Sequence, residues 1–233
     1  MKLGVFERVT DYSKMLIRIM ASTFVLSVLA LWLLRTKIPE LDAAIAAHLP
    51  TLTIKVLDLP VSFGTLFPAA AVTVLFRMFR VHDRISDLLR IRRRFDVKHI
   101  LGPLAVGSLG NVSDEQLQRI RAGRDDLMYK VFYRYASSKT PAIDAHFIED
   151  ALDWWGWYWC ILEAICVALI SAMLAGWYRH WRLCAAFSIA ALIGLIGALV
   201  IKRRCTRCAH REVNEILSDA SRVIEIRSQF SAL

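Results

Sequence analysis

The chain lacks the usual marks of an enzyme. Its 233 residues contain no phosphate-binding glycine loop, no nucleophile elbow and no paired zinc motif. No stretch alternates apolar and polar residues as a half-buried strand does. No enzyme activity or cofactor is therefore expected. Cysteine is sparse as well: Cys160, Cys166 and Cys184 lie in apolar runs, and Cys205 and Cys208 follow one closely. That placement argues against a disulfide framework. Acidic residues are outnumbered, 21 against 30 lysines and arginines, which leaves a formal net charge of +9. What the chain lacks most is charge over long stretches. It is 56% hydrophobic with a mean hydropathy of +0.43, too apolar for an ordinary soluble domain of this length.

Trp154 to Tyr178 is the clearest of these stretches, with Glu163 its one charge. As a helix it is about 37 Å long, enough for a hydrocarbon layer of about 30 Å. Trp154, Trp155, Trp157 and Trp159 crowd one end and Trp177 closes the other, as amphipathic rings do at headgroup depth. Three more apolar runs complete a predicted all-α polytopic fold. Spans are expected over about 16–34, 59–79, 156–177 and 183–201. The first is read as a retained helix, because Arg35, Thr36 and Lys37 rather than a small-residue cleavage site follow Leu34. It reaches full length if Arg18 snorkels to the interface. Pro60, Gly64 and Pro68 predict a bent second span.

Residues 1–79 thus read as a first membrane pair, 80–153 as a basic helical region, 154–201 as a membrane hairpin and 202–233 as a C-terminal helix. Positive charge concentrates at the amino terminus, in 77–134 and in the tail, whereas 35–58 is balanced and 177–182 is short. Both termini and the basic region are therefore placed on the cytoplasmic side of an inner membrane. Within 77–98, Val81, Ile85, Leu88, Ile91 and Phe95 step by three and four, which predicts one interfacial helix ended by Gly102 and Pro103. Arg90, Arg93 and Arg94 form its basic face toward anionic headgroups. A capping box, Ser113 with Gln116, starts the next helix, expected to run to about Tyr135. Thr140–Pro141 is expected to start a helix of roughly 36 residues that continues into the bilayer. In the tail, Val213, Leu217, Ala220 and Ile224 make the beginning of a coiled-coil seam or a face packed on the basic helices.

Six constellations bear on function. Ala164, Ala168, Ala172 and Gly176 put a small residue at every fourth position, and Ala186, Ala190, Gly194 and Ala198 repeat the pattern. Such ridges allow close helix approach, within the hairpin or between copies, so self-association is expected. Glu163 is an intramembrane carboxylate, either functional or a partner for Arg18 or Arg77. Cys205, Cys208 and His210 supply half the donors of a zinc site, and no metal is expected from them alone. His82, Asp83 and Asp87 read as solvated charges, and His146, Glu149 and Asp150 carry no fuller motif. Arginines near Tyr129, Phe132, Tyr133 and Tyr135 are material for RNA or DNA contacts. Topology and lipid headgroups account for them more economically, and a cytoplasmic protein or nucleoprotein partner is the remaining reading.

With FRVHDRISDLLRIRRRFDVKHILGPLA set between two spanning pairs, the layout resembles the small multi-span membrane effectors of bacterial antiviral defence operons. These are the retron-associated and cyclic-nucleotide-signalled types. The resemblance implies an effector held quiet by partner components that perturbs membrane integrity on a cytoplasmic signal. It transfers no residue roles. A membrane anchor that recruits a soluble enzyme or nucleoprotein through its basic face is the alternative of a different class.

Overall fold

The computed structural model describes residues 8–49, 53–56 and 59–232, with the backbone alone over 53–61. The regular elements among the described residues are helices apart from one antiparallel hairpin, Thr53–Val56 (β1) with Leu59–Ser62 (β2), in which Ile54 pairs with Val61 and Lys55 with Pro60. Helix α1 spans Tyr12–Lys37 and α2 spans Pro39–Ala46. The helix expected from residue 59 begins instead at Phe63, because 59–62 is extended; α3 runs Phe63–Met78 with Pro68 inside it. At about 24 Å, α3 is too short to cross alone. It passes only together with α4, Val81–Leu88, across a 51° bend. Arg80 makes that bend by adopting φ 47.

Three helices are long and apolar enough to cross a membrane without a break: α1, α9 (Ala145–Trp177) and α10 (Trp181–Leu217). The count reaches four when the bent α3–α4 pair is taken as one span. Helix α9 starts later than Thr140–Pro141, where the Asp144 carboxylate accepts the His146 amide at 2.9 Å. The turn between α9 and α10 is tighter than six residues. Arg179 takes φ 60, and the amides of Arg179 and His180 close back on the Gly176 and Ala175 carbonyls at 2.9 Å.

The chain forms two compact units. In the first, Leu16–His82 with Trp157–Val200, Leu34, Ile38 and Leu41 gather on Ala175, and Val28 meets Ala69. Arg35 ties this unit's polar end together. It pairs with Asp42 at 2.6 Å, donates to Thr65 at 2.9 Å, and also reaches the Ser62 hydroxyl. Replacing Arg35 with Met keeps most of the stem's packing but strips those bonds. A loss of about 1.5–3 kcal/mol in stability is expected, as for a part-buried charged hydrogen-bond donor, read as a lower unfolding temperature in detergent. An unchanged melting curve would show that these bonds contribute nothing.

The second unit comprises Arg8–Met15, Asp83–Gly156 and Ile201–Leu233. Its helices are α5 (Ile91–Asp96), α6 (Gly102–Leu109), α7 (Asp114–Ala122), α8 (Arg124–Leu127) and α11 (Ala220–Ser231). The single amphipathic helix expected over 77–98 is broken. Arg90 adopts φ 52, and Leu88 drops out of the apolar stripe at 82% exposed, while Ile91 and Phe95 are buried. A left-handed arginine costs about 1–2 kcal/mol, so no local preference dictates the break; burial of Ile91 and Phe95 on the core does. Gly102 and Pro103 do not end the helix either. A π turn over Val97–Leu101 bonds the Gly102 amide to the Val97 carbonyl, and α6 follows with Pro103 in its first turn. The wider turn keeps the proline ring off the helix behind it. Gly110, at φ 86, is the actual stop.

The capping box forms as expected, with both Ser113–Gln116 bonds present. Gly123 then interrupts the helix, and a second π turn covers Met128–Tyr133. The tail does not continue as a coiled coil. Asp219 caps a new helix by accepting the Ser221 and Arg222 amides, and Ile224 is exposed, whereas Ile216, Ile226 and Phe230 are buried. Helix α11 packs on α6, and Arg227 donates to the Ser108 carbonyl at 2.7 Å. Tyr135 donates to Glu225 at 2.6 Å; burial and that carboxylate push the hydroxyl up to about 12, so it remains a donor at physiological pH.

Candidate functional site

Within the first unit, three helices bring a polar cluster into apolar surroundings. Glu163 of α9 is 3% exposed and His82, in the first turn of α4, is equally buried. His82 Nδ1 lies 3.3 Å from Glu163 Oε1, and the Thr23 hydroxyl of α1 bonds to Oε2. The His82 ring stacks at a tilt on Trp159, 6.0 Å between centroids. Beside the carboxyl is a cavity of about 10 Å³ lined by Ile19, Met20, Thr73, Phe76 and Arg77 among others. That is room for about one water. Bulk solvent therefore does not hydrate this carboxyl, and its neighbours have to.

The chemistry available is proton placement. Thr23 has one hydroxyl proton but two acceptors in reach, Glu163 and its own helix's Ile19 carbonyl at 3.0 Å. An ionised Glu163 accepts that proton. A protonated Glu163 instead donates to Thr23, which turns its proton to Ile19. Glu163 Oε1 and His82 Nδ1 face each other so that one proton can serve both. Around Thr23 and Glu163 the cluster thus has two hydrogen-bonding arrangements that differ by where a proton sits.

The sequence singled out Glu163, either as functional or as a partner for Arg18 or Arg77. Arg77 lines the cavity, and Arg18, rather than snorkelling outward, is 2% exposed with its guanidinium over Trp157 at 4.9 Å. His82 and Thr23 are the partners that sequence reasoning missed. His82 sits in a charge-rich run and reads as solvated, yet it is buried. The usable signal is its place, just beyond the apolar run that ends near Phe79, at the depth where a buried carboxylate needs a donor.

The small-residue positions divide. Ala172 and Ala198 are buried, and Ala164, Ala168, Gly176 and Gly194 are half-buried, whereas Ala186 and Ala190 are exposed. A side-chain carbon on Gly194 would lie 2.9 Å from Ile165, so close approach occurs there; on Gly176 it would meet Cys184 at an ordinary 3.7 Å. A fixed four-residue step drifts by about 40° per step on a helix of 3.6 residues per turn. The packed face of α10 therefore follows Cys184, Phe187, Ala191, Gly194 and Ala198, in steps of three and four.

In the second unit, Cys205 and Cys208 are buried, and His210 is exposed beside His99, 5.5 Å between rings. No group of three or more metal-ligating side chains gathers among the described residues. His146, Glu149 and Asp150 surround Arg8, which reaches Asp150 at 2.7 Å. Arg90, Arg93 and Arg94 are all exposed on one wall of a groove.

These features define a helical protein with three helices of membrane-crossing length and apolarity, a fourth bent pair, and a carboxyl buried among them. The chain belongs to the YmfE protein family, whose family model matches residues 11–232. Nothing among curated proteins or solved structures matches it.

Proposed function

We propose that the protein is a four-span inner-membrane effector that self-associates and lowers membrane integrity when a cytoplasmic signal reaches it, in the antiviral setting that the resemblance implies. Both termini and the arginine-rich unit face the cytoplasm in this reading. The Glu163–His82–Thr23 cluster is the observation that carries it. Polar groups buried among spanning helices cost stability and are rarely kept without use. Here they join α1, α9 and a helix already broken at Arg80, so moving one proton biases the bent span against its neighbours. Self-association is supported by α10, whose most apolar stretch is 11% buried, against 39% for α1 and 44% for α9. Its uncovered face carries Ala186 and Ala190 beside Ile189 and Ile193.

Expression from a titratable promoter with a membrane-potential dye tests this. Growth arrest with depolarisation is expected once the cytoplasmic trigger is supplied by co-expression of the neighbouring genes. Full abundance in the membrane with an unchanged potential under that condition would contradict the reading. It would favour the anchor that recruits a soluble partner through its basic face.

A further inference from the structure

We propose that the groove between α5, α6 and α7 is a binding site for a single acidic phospholipid, with its phosphate on the arginines and an acyl chain along the groove floor. This goes beyond the effector reading and does not depend on it. The groove has a volume of about 1090 Å³. Arg90, Arg93, Arg94, Lys98 and Arg121 line it, and no acidic side chain does. Each of the five is exposed, and none forms an ion pair among the described residues. Asp87 and Asp125 border a smaller pocket behind Arg90, Arg93 and Arg121 without coming within ion-pair distance of them. Cations of one sign around a concave surface focus the field and draw in an anion.

The walls are held in place rather than merely adjacent. Arg124 of α8 donates from Nε to Asp96 at 2.9 Å, and Asp96, at the end of α5, is buried. Arg93 reaches across to the Arg121 carbonyl of α7 at 3.4 Å. The charged rim is therefore presented by two braced elements, and guanidinium forks match phosphate oxygens bidentately.

The floor decides which anion. Between the cations lie Val97, Pro103, Val106, Val112 and Leu117, and Val106 is 53% exposed. The lining carries no aromatic ring. Single-stranded nucleic acid and nucleotides are held by stacking on rings, which this groove does not offer. Free phosphate makes no use of an aliphatic floor. An acyl chain does, and a basic pocket with an apolar floor is the form that headgroup sites take. A second observation agrees: Leu88 and Leu89, next in the chain to Arg90, stand 82% and 55% exposed, a greasy tip flanked by cations.

The test uses the full chain purified in neutral detergent and a phosphatidylglycerol analogue with a photoreactive acyl chain. Crosslinks are expected on Val106, Val112 and Leu117, competed by unlabelled phosphatidylglycerol at least tenfold better than by phosphatidylcholine, and weakened by salt. Arg94→Gln with Arg121→Gln should lose at least tenfold of that labelling at an unchanged unfolding temperature, and Arg94→Lys with Arg121→Lys, which keeps the charge but not the fork, should fall between that variant and the unmodified protein. Labelling confined to other apolar surfaces would overturn the proposal. So would equal competition by phosphatidylcholine, or equal competition by glycerol phosphate or an RNA oligonucleotide, which would make the groove a plain anion site or a nucleic-acid site.

Discussion

Glu163→Gln is expected to abolish most of the triggered depolarisation, at least tenfold at matched abundance, while leaving the protein nearly as stable as before. The two effects separate because of their sizes. Hydrogen bonds between spanning helices average about 0.6 kcal/mol and reach about 1.7 kcal/mol, since the unfolded helices find other partners in the membrane. Glutamine keeps an acceptor for Thr23 and a polar group facing His82, so its cost is expected to fall below about 1 kcal/mol. What it cannot do is ionise, and the two arrangements around Glu163 Oε2 and His82 Nδ1 differ by that step. Glu163→Leu is the contrast. It takes the carboxylate away from His82 Nδ1 in a site with room for about one water, at about 1–3 kcal/mol, whereas the Thr23 hydroxyl keeps the Ile19 carbonyl. Lower abundance and a lower unfolding temperature are expected for leucine and not for glutamine. Wild-type depolarisation by Glu163→Gln would make the cluster structural glue.

Gly194→Leu carries the second large effect, on stability. A side-chain carbon at 194 falls 2.9 Å from Ile165 Cγ1, closer than real side-chain carbons come, and that atom sits at the root of a stiff β-branched side chain, so something must shift. Even alanine is therefore expected to cost about 1 kcal/mol. Leucine adds three further atoms where α9 and α10 pack, and overpacking of that kind costs about 1–3 kcal/mol or more. Ala190→Leu gives the comparison that separates packing within one chain from packing between copies, because Ala190 is exposed. It is expected to leave the unfolding temperature of the monomer unchanged and to alter the oligomer distribution on native gels. If Gly194→Leu melts like the unmodified protein, the contact at Ile165 is not a tight one.

How much of this could be read in the sequence follows from the range of each signal. Hydropathy, the tryptophan belts and a single carboxylate are local, so the long helix α9 and Glu163 are visible at once. The Ser113–Gln116 box is equally local, and it forms. The breaks at Arg80 and Arg90 carry no glycine or proline to announce them; at Arg90 core burial of Ile91 and Phe95 outweighs the local penalty of a left-handed arginine. Pro103 announces the opposite of what it does, because a π turn absorbs it. The small residues repeat every four positions, yet the contact follows 3.6, which leaves Ala186 and Ala190 facing outward. His82 and Thr23 were hidden for another reason. Their role exists only where three segments far apart in sequence meet, and neither residue type marks such a place alone.

Thiol labelling in intact cells tests the central claim most directly. In a background with the five native cysteines replaced, His48→Cys, Arg93→Cys and Ala232→Cys are each probed with a membrane-impermeant maleimide. Labelling at 48 from outside, and at 93 and 232 only after permeabilisation, is the expected result for four spans with the arginine-rich unit inside. Labelling at 93 from outside, or protein that alkaline carbonate washes free of the membrane, would contradict it.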